Sequence, residues 1–581
     1  MNLEKYQQYS RIARGLEKAD LVLKDARIVN VFTEEIIRGD IAIQDGIIAG
    51  IGSFHGKEER DLAGRYVCPG FIDSHLHLES TLVTPAELVT AASRHGTTTF
   101  IVDPHESANV SGLAGIDYIL DQTEDVKANV YVMMPSCVPA TAIDDNGCTL
   151  TAEDMVPYLH NSRILGLGEV MDSISVVQGE KSMHDKLELF EGRIRDGHAP
   201  FLEEGDLQAY AMAGIATDHE CSFFDYAMRE RRNGLTILVR EGSAARNLEA
   251  LVGGLVQRHM NGDGFCFCTD DKHIEDIQRE GHIDHNVRKA IRLGMNPISA
   301  IKMATINAAK HFRLEDKIGS VAPGRFADIL LIDDLTTMKP KLVLKSGRIV
   351  ADENGARPVP EKAYPEKLFD TVHIAADFSA EKFNIHSEGK RAKCRVIDLI
   401  KDQIINKEIF EWMDVKEGQI AADVDRDILK LAVVERYGKN GRVSTALVHG
   451  FGLKQGALAA SVSHDHHNIV VVGTNDRDMA VCVEKLQELH GGFVLAVEGQ
   501  VVDALALPLG GLMSTLPAKT VMKRMDEMNG AVEKMGCPMK APFMSLSFIS
   551  LPTVPELGLT DFGLIDVLGH QIIDMIVETE A

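Results

Sequence analysis

The sequence predicts an α/β protein: a (β/α)8 barrel, a composite β-sandwich domain assembled from both sides of the barrel, and a C-terminal α+β domain. Three observations predict this. Short β-branched runs alternate with longer amphipathic stretches across 67–317, and about 250 residues is the usual length of such a barrel. Strand-and-turn texture flanks that region, at 20–66 and again at 318–352. Beyond a proline-rich break the pattern turns to mixed strand and helix, and 581 residues is several times the roughly 100–200 that one domain takes.

In chain order, LVLKDARIVNVF and DIAIQDGIIAGIG read as strands, with Asp45-Gly46 as a hairpin turn. The same texture returns in ADILLID and KLVLKSGRIVAD, so 1–66 and 318–355 are expected to close into one domain. Between them, 67–317, barrel strands are read at TTTFIVD (97–103), NVYVMMP (129–135), RILGLGEV (163–170), LTILVREG (235–242) and GFCFCTDD (264–271). Helical segments such as PAELVTAASRHG and SGLAGIDYILDQ separate them. Residues 356–375, with Pro358, Pro360 and Pro365 among many charges, read as a linker, and 376–581 as the α+β domain.

Composition narrows the function. Lys plus Arg number 61 against 86 Asp plus Glu, a formal net charge of −25. Such a polyanion repels phosphate backbones and anionic lipid heads, so neither nucleic acid nor a membrane is an expected partner. No apolar run reaches the roughly 18–20 residues of a spanning helix, and MNLEKYQQYS lacks the apolar core of a secretory signal. Nine scattered Cys argue against a disulfide framework, and the expected location is the cytoplasm. P-loops and G-x-G-x-x-G turns are missing, so no nucleotide cofactor is expected.

Barrel sites lie at the C-terminal ends of the strands. The strongest signal there is Pro69-Gly70-Phe71-Ile72-Asp73-Ser74-His75-Leu76-His77. Histidines at i and i+2 of a strand face the same way, so His75 and His77 can reach one metal. A lone His-x-His is weak, and the ordinary reading of any one such residue is a surface or satisfied core group. Here Glu169, His198, His219 and Asp270 follow, each at or just after a predicted strand end. Four imidazoles and two carboxylates suit a pair of borderline divalent cations. With a bridging hydroxide such a centre keeps a net positive charge, which favours hydroxide formation, since a bound metal lowers the pKa of water from about 15.7 to about 7. Asp270 is the ligand able to take the hydroxide proton and hand it to a leaving group. This is hydrolytic chemistry.

PGFIDSHLHLES, the strand-4 acid, two later His, CTDD and APGRFADILLID resemble the amidohydrolase superfamily. VDPHESANV, LGLGEVM, DGHAP, VREGSAARN, CTDD, EGHID and SVSHDHHNIVVVGTND resemble, more closely, its bacterial adenine deaminase family, over essentially the whole chain. The resemblance implies hydrolysis of adenine to hypoxanthine and ammonia by attack of metal-bound hydroxide at C6, a step of purine salvage. It implies two divalent ions, Mn2+ or Fe2+ before Zn2+, with His75, His77, His198, His219, Glu169 and Asp270 as ligands and Glu169 bridging. Glu169 stands where many superfamily members carry a carbamylated Lys. A homodimer is the expected assembly.

Other residues carry open alternatives. Glu106, with Asp103 and His105 at the end of one strand, is read as contacting substrate or protonating a ring nitrogen, or else as bonding to a metal-bound His. Arg240 and Ser243 bind the base or form a rim salt bridge. His464 and His466, in the run 463–468, bind metal, cap the mouth or hydrogen-bond the purine. His282 and Asp284 read as substrate-side groups or as a helix cap; His55, His95 and His160 read as structural. His77-Leu78-Glu79 matches the H-x-E of zinc nucleobase deaminases, but no P-C-x-x-C accompanies it. The competing functions are a related hydrolase of another cyclic amide or amino-heterocycle, and a catalytically dead scaffold, which should have lost metal ligands.

Overall fold

A computed structural model describes residues 2–400, 405–553, 556–569 and 571–580. Its centre is eight parallel strands: β1 (Phe71–Leu76), β2 (Thr97–Val102), β3 (Asn129–Met134), β4 (Ile164–Val170), β5 (Ile194–Gly197), β6 (Thr217–Asp218), β7 (Thr236–Arg240) and β8 (Phe265–Cys268). β1 to β5 pair in order, as do β6 to β8. Ala216 N donates to Arg195 O at 2.9 Å across one seam, and a parallel bridge between Leu76 and Asp270 closes the other. Helices such as Pro85–Ser93, Leu113–Gln122 and Leu248–Gln257 cover the outside, the architecture of a (β/α)8 barrel.

The sequence of β8 shows how the barrel is filled. Successive side chains of a strand point to opposite faces, so Phe265 and Phe267 go outward onto Leu251, Val252 and Leu255. Cys266 and Cys268 go inward with Ile72, Ile101, Met133 and Leu238. Ala308 and Phe312 join that inner cluster, and Asn307 Nδ2 donates to Gly262 O and Phe265 O at 3.0 Å, which fastens them under the start of β8. All nine cysteines are free thiols. β5 and β6 have no apolar run to announce them; IRDG and TD are strands because their neighbours leave them no other place.

The flanks meet where Tyr66–Pro69 pairs antiparallel with Ile329–Ile332. The result is one nine-stranded sheet rather than two stacked ones. It curls, so that Leu23, Ile41, Ile48, Ile329 and Leu344 share one core. Asp45 and Gly46 turn the hairpin with φ of 50° and 77°. Position 46 also needs glycine for space, because a Cβ there would stand 2.7 Å from Ser346 O, at the far end of the same sheet.

The stretch read as a linker is fastened along the barrel. Thr84 Oγ1 donates to Glu361 Oε1 at 2.7 Å, Gln122 Nε2 to Ala363 O at 3.2 Å and Lys362 Nζ to Asp121 O at 2.9 Å. Beyond it, an eleven-stranded sheet carries the helices Asp476–Glu488 and Ala518–Lys534. Between the neighbouring antiparallel strands Ala457–Ala460 and Ile469–Gly473, residues 461–468 form a loop over the barrel mouth. Asn109 Nδ2, on the helix after β2, donates to Asp465 O and His466 O at 3.0 Å and holds it there. Among the described residues, no helix is long and apolar enough to cross a membrane.

Candidate active site

The C-terminal ends of the strands bring His75, His77, Glu169, His198, His219 and Asp270 into one buried cluster. Glu169 is its centre. Its Oε1 lies 3.2 Å from His77 Nε2 and 3.8 Å from His75 Nε2, and its Oε2 lies 3.1 Å from His198 Nδ1 and 3.2 Å from His219 Nε2. Asp270 Oδ1 lies 3.4 Å from His75 Nε2 and 3.1 Å from His77 Nε2, and Asp270 also converges with His75 and His219 as one group of possible ligands. The barrel seam sets this geometry, since Asp270 N donates to His75 O at 3.0 Å and His77 N to Asp270 O at 3.3 Å. The two pairs of imidazoles adjoin, His75 stacking on His219 with ring centroids 4.3 Å apart, and a carboxylate with one oxygen toward each pair is an arrangement suited to two cations.

The electrostatics fit that occupancy. Burial alone would raise the Glu169 carboxyl, but His219, His105 and His198 pull it well below the ordinary carboxylate range. Burial opposes charge on His198, yet Glu220 and Glu169 carry it to about 9. His219 is also raised, by Glu169 and Asp270 against its own burial. The carboxylates thus draw positive charge onto the imidazoles, and a metal ion competes with protons for those same lone pairs. His75 Nδ1 and Nε2, His198 Nε2 and Asp270 Oδ1 are buried without a hydrogen-bond partner. Buried polar atoms are normally paired, so these donors fit a metal centre.

Arg240 lies beside the cluster and lines the same cavity. Its guanidinium donates to Glu220 Oε1 and Oε2 at 2.6 and 2.9 Å and to Asp270 Oδ2 at 2.7 Å, with all three side chains buried. The alternative of a salt bridge is the one the structure takes. Burial would raise the Asp270 carboxyl, but Arg240, His75 and His77 hold it well below the usual range. Arg240 therefore fixes one oxygen of Asp270 and leaves the other facing the histidines.

Asp103 is not placed to meet a substrate. Its Oδ2 accepts from Glu169 N at 2.8 Å, which fixes the backbone of the central carboxylate from behind. This demands glycine at 168, where a Cβ would lie 2.2 Å from Asp103 Oδ2. Gly168→Ala is expected to cost about 1–3 kcal/mol through overpacking and to weaken metal binding; thermal melts and metal analysis of the purified variant check both.

Ser243 is turned away, its Oγ donating to Asp276 Oδ2 at 2.6 Å and accepting from His273 N at 3.0 Å. His466 is turned away too, with Nε2 3.2 Å from Ser550 Oγ and Nδ1 accepting from Asn468 N at 3.0 Å. His282 lies behind β1, 2.8 Å from Thr97 Oγ1 and 3.3 Å from Asp73 Oδ2, and Asp284 accepts from His282 N at 2.8 Å as a helix cap would. Glu106 is fully buried, and its Oε1 lies 3.0 Å from Ser80 Oγ and 3.1 Å from His464 Nδ1.

Four neighbours carry no role of their own in the sequence pattern, which puts His105 at the rim and Asp465 in the run 463–468 without assigning either one. His105 Nδ1 is 3.2 Å from Glu169 Oε1, and its Nε2 is 3.6 Å from Asp465 Oδ1. Glu220 pairs with Arg240, and Asp271 accepts from Ser80 Oγ at 2.5 Å. His105, Glu220 and Asp271 each sit one or two residues from a recognised site residue, which is the signal that could have found them. Asp465 comes from another domain, and only docking reveals it.

These groups line a cavity at the barrel mouth. The barrel contributes His77, Glu169, His198, His219 and Asp270 to its wall, and the C-terminal domain His464, Asp465, Phe548, Leu551 and Thr553. Residues 66–350 match the amidohydrolase family, and 403–571 the adenine deaminase C-terminal domain. A curated protein of Desulfitobacterium hafniense named adenine deaminase is 46% identical over 99% of this chain and 99% of its own. Another of that name, from Desulforamulus reducens, is 46% identical over 98% of each, and one from Geobacillus kaustophilus 42% identical over 95% of each. Among solved structures, the β-aspartyl dipeptidase of Fervidobacterium islandicum AW-1 aligns at 16% identity and a TM-score of 0.45, over 58% of this chain and 99% of that one.

Proposed function

The chain belongs to the amidohydrolase family and, within it, to the adenine deaminases, and from that premise we propose that it hydrolyses adenine to hypoxanthine and ammonia. Full-length likeness to proteins of that name carries the substrate. Glu169 between two groups of imidazoles, with Asp270 beside one of them, carries the chemistry. His75, His77, Glu169 and Asp270 would hold one divalent ion and Glu169, His198 and His219 the other, Mn2+ or Fe2+ before Zn2+. Two such ions supply Lewis-acid polarisation and lower the pKa of water from about 15.7 toward about 7.

The residues of the chain do the rest. Asp270, with Oδ2 fixed by Arg240, uses Oδ1 to accept a proton from the attacking water as its oxygen joins C6. The second proton of the same water passes to a ring nitrogen, giving a tetrahedral carbon that bears both oxygen and amino group. Asp270 then returns its proton to the amino nitrogen, the C–N bond breaks, and ammonia departs. Phe548 and Leu551 give the cavity an apolar side suited to a flat, uncharged base. Protein stripped with a chelator is expected to release no ammonia from adenine, and two equivalents of Mn2+ to restore release, with adenosine, guanine and cytosine inert. Failure of the reconstituted enzyme on adenine, with turnover of another amino-heterocycle or a cyclic amide, would replace the substrate and leave the metal site standing.

A further inference from the structure

His464 belongs to the C-terminal domain, yet it stands in the wall of the barrel cavity. Three contacts fix its ring. Nδ1 lies 3.1 Å from Glu106 Oε1. Phe548 stacks on one face, with centroids 4.5 Å apart and planes 10° from parallel. Its backbone N donates to Ser547 O at 2.9 Å. The remaining polar atom, Nε2, is buried and has no hydrogen-bond partner; the nearest charged group is Asp271 Oδ1 at 3.9 Å. Glu106 is differently placed. It is fully buried, is not part of the cavity wall, and spends Oε1 on His464 and Ser80, while Oε2 has no hydrogen-bond partner and lies 4.0 Å from His467 Nε2.

We infer that His464, through Nε2, is the group that hydrogen-bonds a ring nitrogen of the purine, and that Glu106 is a positioning residue for it. A carboxylate on Nδ1 orients the ring, as outer-shell carboxylates do for histidines elsewhere. Against its burial, Glu106 and Asp271 raise His464 to about 9, so that Nε2 carries a proton and donates to the ring nitrogen. The stack on Phe548 blocks ring rotation, and the same aromatic side offers the base an apolar surface. Specificity for the base thus depends on a residue from a different domain than the metal ligands. This inference rests on the adenine reading and deepens it.

The test uses KM for adenine and inhibition constants for its 1-deaza, 3-deaza and 7-deaza analogues, each of which lacks one ring nitrogen. They are measured on the full chain, on His464→Ala, His464→Gln and Glu106→Gln, with metal content determined for each. In the wild type one analogue should bind roughly ten- to a hundredfold more weakly than adenine, the range for a buried group that loses its partner. In His464→Ala and His464→Gln that discrimination should fall below about threefold for that analogue alone, with metal content unchanged. Glu106→Gln should reduce it partially, since the amide still holds Nδ1 but without charge.

Wild-type discrimination retained in either folded His464 variant would overturn the inference while leaving adenine as the substrate. A loss of bound metal in those variants would also overturn it, because His464, with Glu106 and His467 nearby, would then be a ligand. A wild type that binds none of the four bases would remove both readings.

Discussion

Glu169→Gln is expected to lose at least half of its bound metal and to lower kcat/KM at least about a thousandfold. The substitution keeps size and shape and removes one negative charge from the centre of four imidazoles. Glu169 Oε1 faces His77 and His105, and Oε2 faces His198 and His219. An amide must aim its NH2 at one of these pairs, placing a donor where a ligand lone pair is required. The ion on that side would lose its ligand oxygen, and the other would keep a neutral carbonyl oxygen in place of a carboxylate. The fold should survive, because Asp103 still accepts from the backbone N of residue 169. Metal analysis, ammonia release and thermal melts of chelator-treated protein separate these effects, since bound metal itself raises the melting temperature of the loaded form. Full activity in this variant would remove Glu169 from the mechanism.

Asp270→Asn should lower kcat by about 10²–10⁴-fold, the range for loss of a positioned acid–base group. Asn Oδ1 can still accept from Arg240, and Arg240 keeps its two bonds to Glu220, so the buried cation does not lose all its partners. The variant no longer has a carboxylate oxygen to carry a proton between water and the leaving amine. Steady-state kinetics at saturating adenine, with metal content in hand, check the step. A kcat within threefold of wild type would assign proton transfer to another group. Asp271 is the nearest candidate, as a cavity-wall carboxyl raised by its burial and by Asp270.

The fold was legible where strands were apolar and regular. TTTFIV, NVYVMM, ILGLGEV and FCFC are strands in the structure, and alternation in β8 already separates the outward Phe from the inward Cys. β5 and β6 were not, because a four-residue and a two-residue strand carry too little pattern. The curled single sheet could not be told from a sandwich, since both need the same alternation.

At the site, strand ends pointed to the six clustered residues because each lies at or near the C-terminal end of a barrel strand. The same rule misplaced Ser243, where Gly242 N donates to Ala245 O and turns the loop onto Asp276. It also missed the contact of His105 with Asp465 and that of Glu106 with His464. These cross a domain boundary some 360 positions along the chain, and no local spacing encodes such a docking.

The central claim is a two-ion centre spanning Glu169. A crystal structure of the Mn2+-reconstituted protein, with anomalous difference maps recorded for manganese, tests it most directly. Two peaks of comparable height are expected, one between His75, His77, Glu169 and Asp270 and the other between Glu169, His198 and His219. A single peak on one side of Glu169 in fully active crystals, with the other histidines bonded only to protein or water, would contradict it.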